Sequence, residues 1–114
     1  MDIRIIKEKI SKQDLVDLGK EFYFEMVKGV VDVEKNIIAL GGEWHIDANQ
    51  VLIKNGSSQE NLWGFNIYLN RPKEDRLEYN SLINIRPSQG NKNMEIENEK
   101  LKNCIFEIVN NLVE

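Results

Sequence analysis

The chain has 114 residues and a formal net charge of −4, and 41% of its residues are hydrophobic and 30% are charged. This length suits one domain, which we predict to span residues 1–114. The composition is that of a folded globular protein rather than a disordered chain. Because the chain has no basic excess to neutralise phosphates, its charge argues against a nucleic-acid-binding protein.

The single cysteine, Cys104, cannot form an intrachain disulfide or a multi-cysteine zinc site. It falls on the apolar stripe of the last predicted helix, so we expect it in the core. No apolar run approaches the roughly 18 residues of a membrane span, and no signal-peptide segment is evident. We therefore expect a cytoplasmic protein that does not enter a membrane, and no motif indicates a cofactor.

The first half of the chain predicts a strand, a long helix and a hairpin. A short strand over residues 2–6 precedes Ser11, whose hydroxyl group suits a helix N-cap. Apolar residues then recur at helical spacing at Leu15, Leu18, Phe22 and Met26. They predict a long helix that ends at Gly29. Residues 30–40 alternate as strands do and predict a hairpin, with Asn36 at its turn.

The second half predicts a short helix, two strands and a final helix. Asp47 is the predicted N-cap of the short helix, which spans residues 48–54. Alternating apolar residues predict a strand over residues 62–69 and another over residues 76–86. The last helix is predicted to begin between residues 93 and 99.

These elements predict an α+β fold, a two-layer sandwich of about five mostly antiparallel strands. Two long helices and one short helix would cover one face of the sheet. The opposite face would carry the polar side chains of Asn66, Tyr68, Asn80, Asn84 and Arg86. Asparagine is uncommon in strands, so this face is expected either to be solvated or to hold a polar ligand or partner.

The segment SLINIRPSQGN, residues 81–91, is the first candidate site. Arg86 offers a planar fork of donors that suits a carboxylate or a phosphate. The residues that follow it add side-chain and backbone donors: Ser88, Gln89, Gly90 and Asn91. We predict that this loop binds a small anionic or polar ligand. The alternative is that Arg86 pairs with an acidic side chain and the loop only connects two elements.

The second candidate site is the segment from Glu43 to Asp47. If this segment is extended, the side chains of Glu43, His45 and Asp47 point the same way. Imidazole and carboxylate groups together suit zinc, iron or manganese, and His45 could act as a general base. This would make the protein a small hydrolase or metal-assisted enzyme. Against it, Asp47 is already a predicted N-cap and His45 is the only histidine, so Glu43 and His45 remain candidates and no metal ligand is assigned.

Four segments resemble those of a family of small prokaryotic proteins known only as a domain of unknown function: VVDVEK, GGE-x-H, LWG and INIRPSQGN. The resemblance covers nearly the whole chain and implies no activity, cofactor or substrate. It implies that these positions are worth testing: Glu43, His45, Trp63, Gly64, Arg86, Gln89 and Asn91. We expect a small soluble binding or interaction module, and the sequence leaves both catalysis and homo-oligomer formation open.

Overall fold

The computed structural model describes residues 2–114, which form a five-stranded antiparallel sheet and three α-helices. The strands are β1 (Arg4–Ile6), β2 (Met26–Asp32), β3 (Ile37–Leu40), β4 (Leu62–Tyr68) and β5 (Leu77–Glu78). The helices are α1 (Lys12–Gly19), α2 (His45–Lys54) and α3 (Glu99–Leu112). The strand order is β1-β3-β2-β4-β5, so β3, β2 and β4 lie inside the sheet. The predicted α+β fold is confirmed.

The helices lie on both faces of the sheet. Side chains alternate between the two faces of a strand. Val31 and Phe65 point into the larger core, which α1 and α3 cover. Val30 and Leu62 point the other way and pack with Ala48 of α2. The prediction that all helices cover one face is therefore wrong for α2, because the second face of the sheet carries apolar residues of its own.

Helix α1 begins as predicted and ends earlier. The hydroxyl group of Ser11 accepts a hydrogen bond from the backbone N–H of Asp14 at 3.1 Å, which caps the first turn. The helix ends at Gly19, and Met26 begins β2. The predicted extension to Gly29 is wrong. Met26 matches the spacing of the helix only by chance, and it begins the strand that continues to Asp32.

Gly29 therefore has a packing role and does not end a helix. A Cβ atom at this position would lie 2.4 Å from the ring of Phe65 on the neighbouring strand β4. The absence of a side chain lets the aromatic ring fill the space above β2. This contact joins the central strand β2 to its neighbour β4.

The hairpin from β2 to β3 is confirmed, with Asn36 in the left-handed conformation at φ 57°. Helix α2, however, begins at His45, and its N-cap is Trp44 rather than Asp47. Asp47 is the third helical residue, and its carboxylate accepts the backbone N–H of Trp44 at 3.2 Å. Asp47 thus stabilises the start of α2 from inside the helix.

The predicted strand over residues 76–86 is wrong. Within this range only Leu77–Glu78 forms a strand, β5, and Leu82–Asn84 forms a short 3₁₀ helix. The polar face predicted here is not solvated either, because Asn66 and Asn84 are buried. The amide of Asn84 is paired within the protein through both its oxygen and its nitrogen, whereas that of Asn66 is paired only through its nitrogen.

Helix α3 begins within the predicted interval and packs its apolar stripe on the larger core. Cys104 is exposed, so its predicted place in the core is wrong. The buried stripe runs through Ile105, Ile108, Val109 and Leu112, which leaves Cys104 beside it. Within residues 2–114, no helix has the length and apolar character needed to cross a membrane.

Candidate functional site

Arg86, the centre of the first candidate site, is held by the protein itself. Its guanidinium lies over the ring of Trp63, with 3.8 Å between Cζ and the ring centroid. Nη1 donates to the carbonyl oxygen of Gln59 at 2.7 Å and to the side chain of Gln89 at 3.1 Å. Nη2 donates to the carbonyl oxygen of Leu62. Burial lowers the pKa of Arg86 below its ordinary value, yet the side chain remains a cation.

The rest of the loop is also organised by internal hydrogen bonds. The backbone groups of Arg86 and Asn91 bond to each other in both directions, at 2.7 and 3.1 Å. The buried amide of Asn91 donates to three backbone carbonyl groups, those of Asn84, Asn93 and Glu95. Ser88 and Gly90 are exposed, and Gly90 ends the turn with φ 83°.

The partners of Arg86 are therefore carbonyl and amide oxygens, rather than the acidic side chain of the alternative interpretation. An anion at this loop would compete with these oxygens for the guanidinium donors. Anion binding by Arg86, Ser88, Gln89, Gly90 and Asn91 stays a prediction.

The second candidate site does not have the predicted geometry. The segment from Glu43 to Asp47 is not extended, because His45 opens α2. Glu43 is exposed, and its backbone carbonyl accepts a hydrogen bond from the Tyr23 hydroxyl at 2.7 Å. Asp47 caps Trp44. Across residues 2–114, no group of three or more His, Cys, Asp and Glu side chains is placed to hold a metal ion.

His45 itself is buried, with 8% of its surface exposed. Its Nε2 lies 2.8 Å from the carbonyl oxygen of Phe65. Since a carbonyl oxygen only accepts, Nε2 carries the proton and Nδ1 carries the lone pair. Burial lowers the pKa of His45 to about 4, although the Phe65 carbonyl opposes this shift. The imidazole is therefore neutral at pH 7 and is a weak base.

His45 lines a cleft of about 350 Å³ on the α2 side of the sheet, which we call the His45 cleft. Five polar residues line it, namely Lys28, His45, Asn66, Asn80 and Ser81. Five apolar residues complete it, namely Trp44, Ile46, Leu82, Ile83 and Met94. Neither Glu43 nor Arg86 is part of its lining, so the two sequence-predicted sites do not meet in this cleft.

The polar residues of the cleft are buried more deeply than the apolar ones. Lys28 and Asn66 form the floor, where they are paired directly opposite each other on β2 and β4. Asn66 is 5% exposed. By contrast, Trp44 is 60% and Leu82 70% exposed at the rim. A polar floor under an apolar rim is the reverse of a normal core, and it is a common arrangement in ligand sites.

Lys28 contributes an unpaired positive charge to the floor. Its ammonium lies 5.2 Å from the centroid of the Tyr23 ring, a cation–π distance. Among residues 2–114 its Nζ has no hydrogen bond and no ion pair. Burial lowers the pKa of Lys28, and the charge of Glu78 partly opposes that shift.

The two asparagines of the cleft have unused hydrogen-bonding capacity. The amide nitrogen of Asn66 donates to a carboxylate oxygen of Glu78 at 2.8 Å, which fixes the orientation of the amide. The other amide atom, Oδ1, is buried and has no hydrogen-bond partner within residues 2–114. The side-chain amide of Asn80 forms no hydrogen bond in the same part of the chain. Buried polar groups are normally paired, so this floor is unusual.

Sequence reasoning identified His45 and missed Lys28 as a site residue. The reason is the helix predicted through Gly29, because Lys28 is not part of the apolar stripe of that helix and so drew no attention. A usable signal was present, because MVKGVV has one lysine inside an otherwise apolar run. In a buried strand such a lysine must point into a cleft or pair with an acid.

The chain matches the family model described as "Protein of unknown function (DUF5674)" over residues 4–112. No curated protein and no solved structure matches it. The matched range covers nearly the whole chain, as the resemblance of its segments implied. The chain belongs to the DUF5674 family of proteins of unknown function.

Proposed function

We propose that the protein is a small binding module and that the His45 cleft holds its ligand. The proposal is carried by the ammonium of Lys28, which lines the cleft and makes no hydrogen bond or ion pair with the described residues. A partly buried ammonium without a direct ion pair is unfavourable, and an anionic group bound beside it would relieve that cost, since Glu78 attracts it only from beyond ion-pair distance. The ligand class that fits is a small organic acid with an apolar body.

The cleft offers a partner for each part of such a ligand. Lys28 faces the acid group, and the free amide of Asn80 can both donate and accept. Trp44 and Leu82 provide apolar contact area at the rim. The N-terminus of α2 borders the cleft through His45, and helix N-termini favour negative charge. The volume of about 350 Å³ lies at the low end of known ligand pockets.

Binding explains these groups better than catalysis does. A general base works best when its pKa is near the working pH, whereas the pKa of His45 is about 4. The hydrolase alternative also needs Glu43 and Asp47 beside His45, and neither lines the cleft. We therefore assign His45 a hydrogen-bonding role at the wall of the site. We further propose that the protein acts in the cytoplasm, where an exposed thiol such as that of Cys104 stays reduced.

The test is calorimetric titration with carboxylic acids of increasing apolar size, with inorganic phosphate as a comparison. We expect saturable binding, and at least a tenfold loss of affinity in Lys28→Met, which conserves side-chain length. The matched control is Lys20→Met, because Lys20 is exposed at the end of α1.

The two candidate sites give different results in this titration. If Lys28→Met binds like the natural protein while Arg86→Lys does not, the ligand occupies the Arg86 loop and the cleft proposal is overturned. The absence of saturable binding by every acid would also count against it.

A further inference from the structure

We infer that the His45 cleft receives the carboxyl-terminal end of another polypeptide whose last residue is apolar. This inference rests on the proposed function and specifies its ligand. The last residue of a chain carries a carboxylate, a backbone N–H and a side chain on one carbon atom. The cleft presents a matching cation, amide and apolar wall.

Each group of such a residue has a partner in the cleft. The ammonium of Lys28 is the only cationic group that lines the described cleft, and it pairs with the terminal carboxylate. The side-chain oxygen of Asn80 accepts the N–H of the last residue. The apolar side chain then packs between Ile83 and Met94.

The rim indicates a polypeptide rather than a free small acid. Exposed apolar side chains surround the opening: Trp44 at 60%, Ile46 at 46%, Leu82 at 70% and Met94 at 40%. A molecule confined to about 350 Å³ would leave much of this surface in water. A chain that continues out of the cleft would cover it. Exposed apolar patches of this kind mark interaction sites, and Trp and Met are enriched there.

The net charge of the protein restricts which partner sequences can bind. The protein carries a net charge of −4, so an acidic segment would be repelled as it approaches. Only the terminal carboxylate meets a cation in the cleft. We therefore expect the residues before the last one to be neutral or basic.

The test uses one fluorescent peptide that ends in leucine, prepared with a free carboxylate and with a terminal amide. N-acetylleucine serves as the small-molecule arm. We expect the free acid to bind at least tenfold more tightly than the amide, a difference of about 1.4 kcal/mol. Lys28→Met should abolish this preference. Leu82→Ser at the rim should weaken binding of the peptide and leave the affinity for N-acetylleucine unchanged.

Failure of the inference and failure of the proposed function give different results. Equal binding of acid and amide peptides overturns the inference. N-acetylleucine that binds as tightly as the peptide also overturns it, and supports the proposed small-acid site. If small acids bind and no peptide does, the inference alone is overturned. If neither binds, both are overturned.

Discussion

The side chain of Asn84 pairs with the backbone of Gly64 as a neighbouring strand would. Its Oδ1 accepts the Gly64 N–H at 2.8 Å, and its amide nitrogen donates to the Gly64 carbonyl at 3.0 Å. A third hydrogen bond reaches the carbonyl of Met94 at 3.2 Å. One side chain thus continues the edge of β4 where β5 is absent. Its hydrogen bonds also fix the two segments that wall the His45 cleft, the 3₁₀ turn that carries Leu82 and the loop that carries Met94.

Replacing Asn84 should therefore destabilise the protein strongly. In Asn84→Ala the buried N–H and C=O of Gly64 lose their partner, and each unpaired buried group costs about 1–3 kcal/mol. We expect the free energy of unfolding, measured by urea denaturation, to fall by about 3 kcal/mol. Asn55→Ala is the control, because Asn55 is exposed and its side chain bonds only to the carbonyl oxygen of Val51 in the preceding turn. A loss no larger than that of the control would contradict this role.

Gly64 should not tolerate a side chain. A Cβ atom there would lie 2.6 Å from Cβ of Ser81 and 3.1 Å from Ile83. Gly64→Ala must displace the segment that walls the cleft, and overpacking of this kind costs about 1–3 kcal/mol. Denaturation of Gly64→Ala, Ser81→Gly and the double variant measures the coupling. We expect the double variant to lose less unfolding free energy than the sum of the losses in the two single variants. Losses that simply add would disprove the clash.

Sequence reasoning predicted the fold class and most elements, because these depend on local periodicity. The hairpin around Asn36 and strand β4 follow directly from alternation and turn chemistry. The failures share one cause. Met26 fits the helical spacing of α1 by chance, and Asn84 fits the spacing of a strand. Only contacts between distant segments decide these two cases, as for Gly29 under the Phe65 ring.

The candidate site was less predictable than the fold. Arg86 looked available because a sequence shows its donors and hides the carbonyl groups of Gln59 and Leu62 that accept from them. His45 was identified by its chemistry, but its pKa depends on burial. Lys28 reaches the same cleft only because β2 and α2 meet on one face of the sheet.

The stability of the protein should depend on pH through His45. Its pKa is about 4 in the folded protein, and the ordinary value is 6.5. The unfolded chain therefore binds a proton first as the pH falls, so stability is full above pH 6.5 and falls between pH 6.5 and 4. The total loss is about 3 kcal/mol at most.

Two measurements check this dependence. His45→Gln should lack it, so the difference in unfolding free energy between the two proteins should shrink between pH 7.5 and pH 4. Carboxylates titrate in both proteins and cancel in this comparison. His45 is the only histidine, so its ring signals in the NMR spectrum can be assigned without ambiguity. A titration midpoint near 6.5 would show that the ring is not buried as described.

Arg86→Lys should cost stability although the charge is kept. A lysine ammonium cannot stack flat on Trp63 and reach the carbonyl groups of Gln59 and Leu62 at once. We expect the unfolding free energy to fall by about 2 kcal/mol. Arg71→Lys is the matched control, because Arg71 is exposed and its guanidinium stacks on Tyr68 without a hydrogen bond in the described chain. Equal small losses in both variants would show that Arg86 is not structurally important, and would favour a binding role.

The position of Lys28 and Asn66 on two neighbouring inner strands has a mechanical consequence. The strands beneath them are hydrogen-bonded within the sheet, so the depth of the cleft is fixed unless the sheet itself separates. The rim is different, because the exposed side chains of Leu82 and Met94 can change rotamer while the segments that carry them stay fixed by Asn84. The width of the cleft can therefore change while its depth cannot. Such a site accepts bound groups of different thickness but limits how far a group can extend into the cleft.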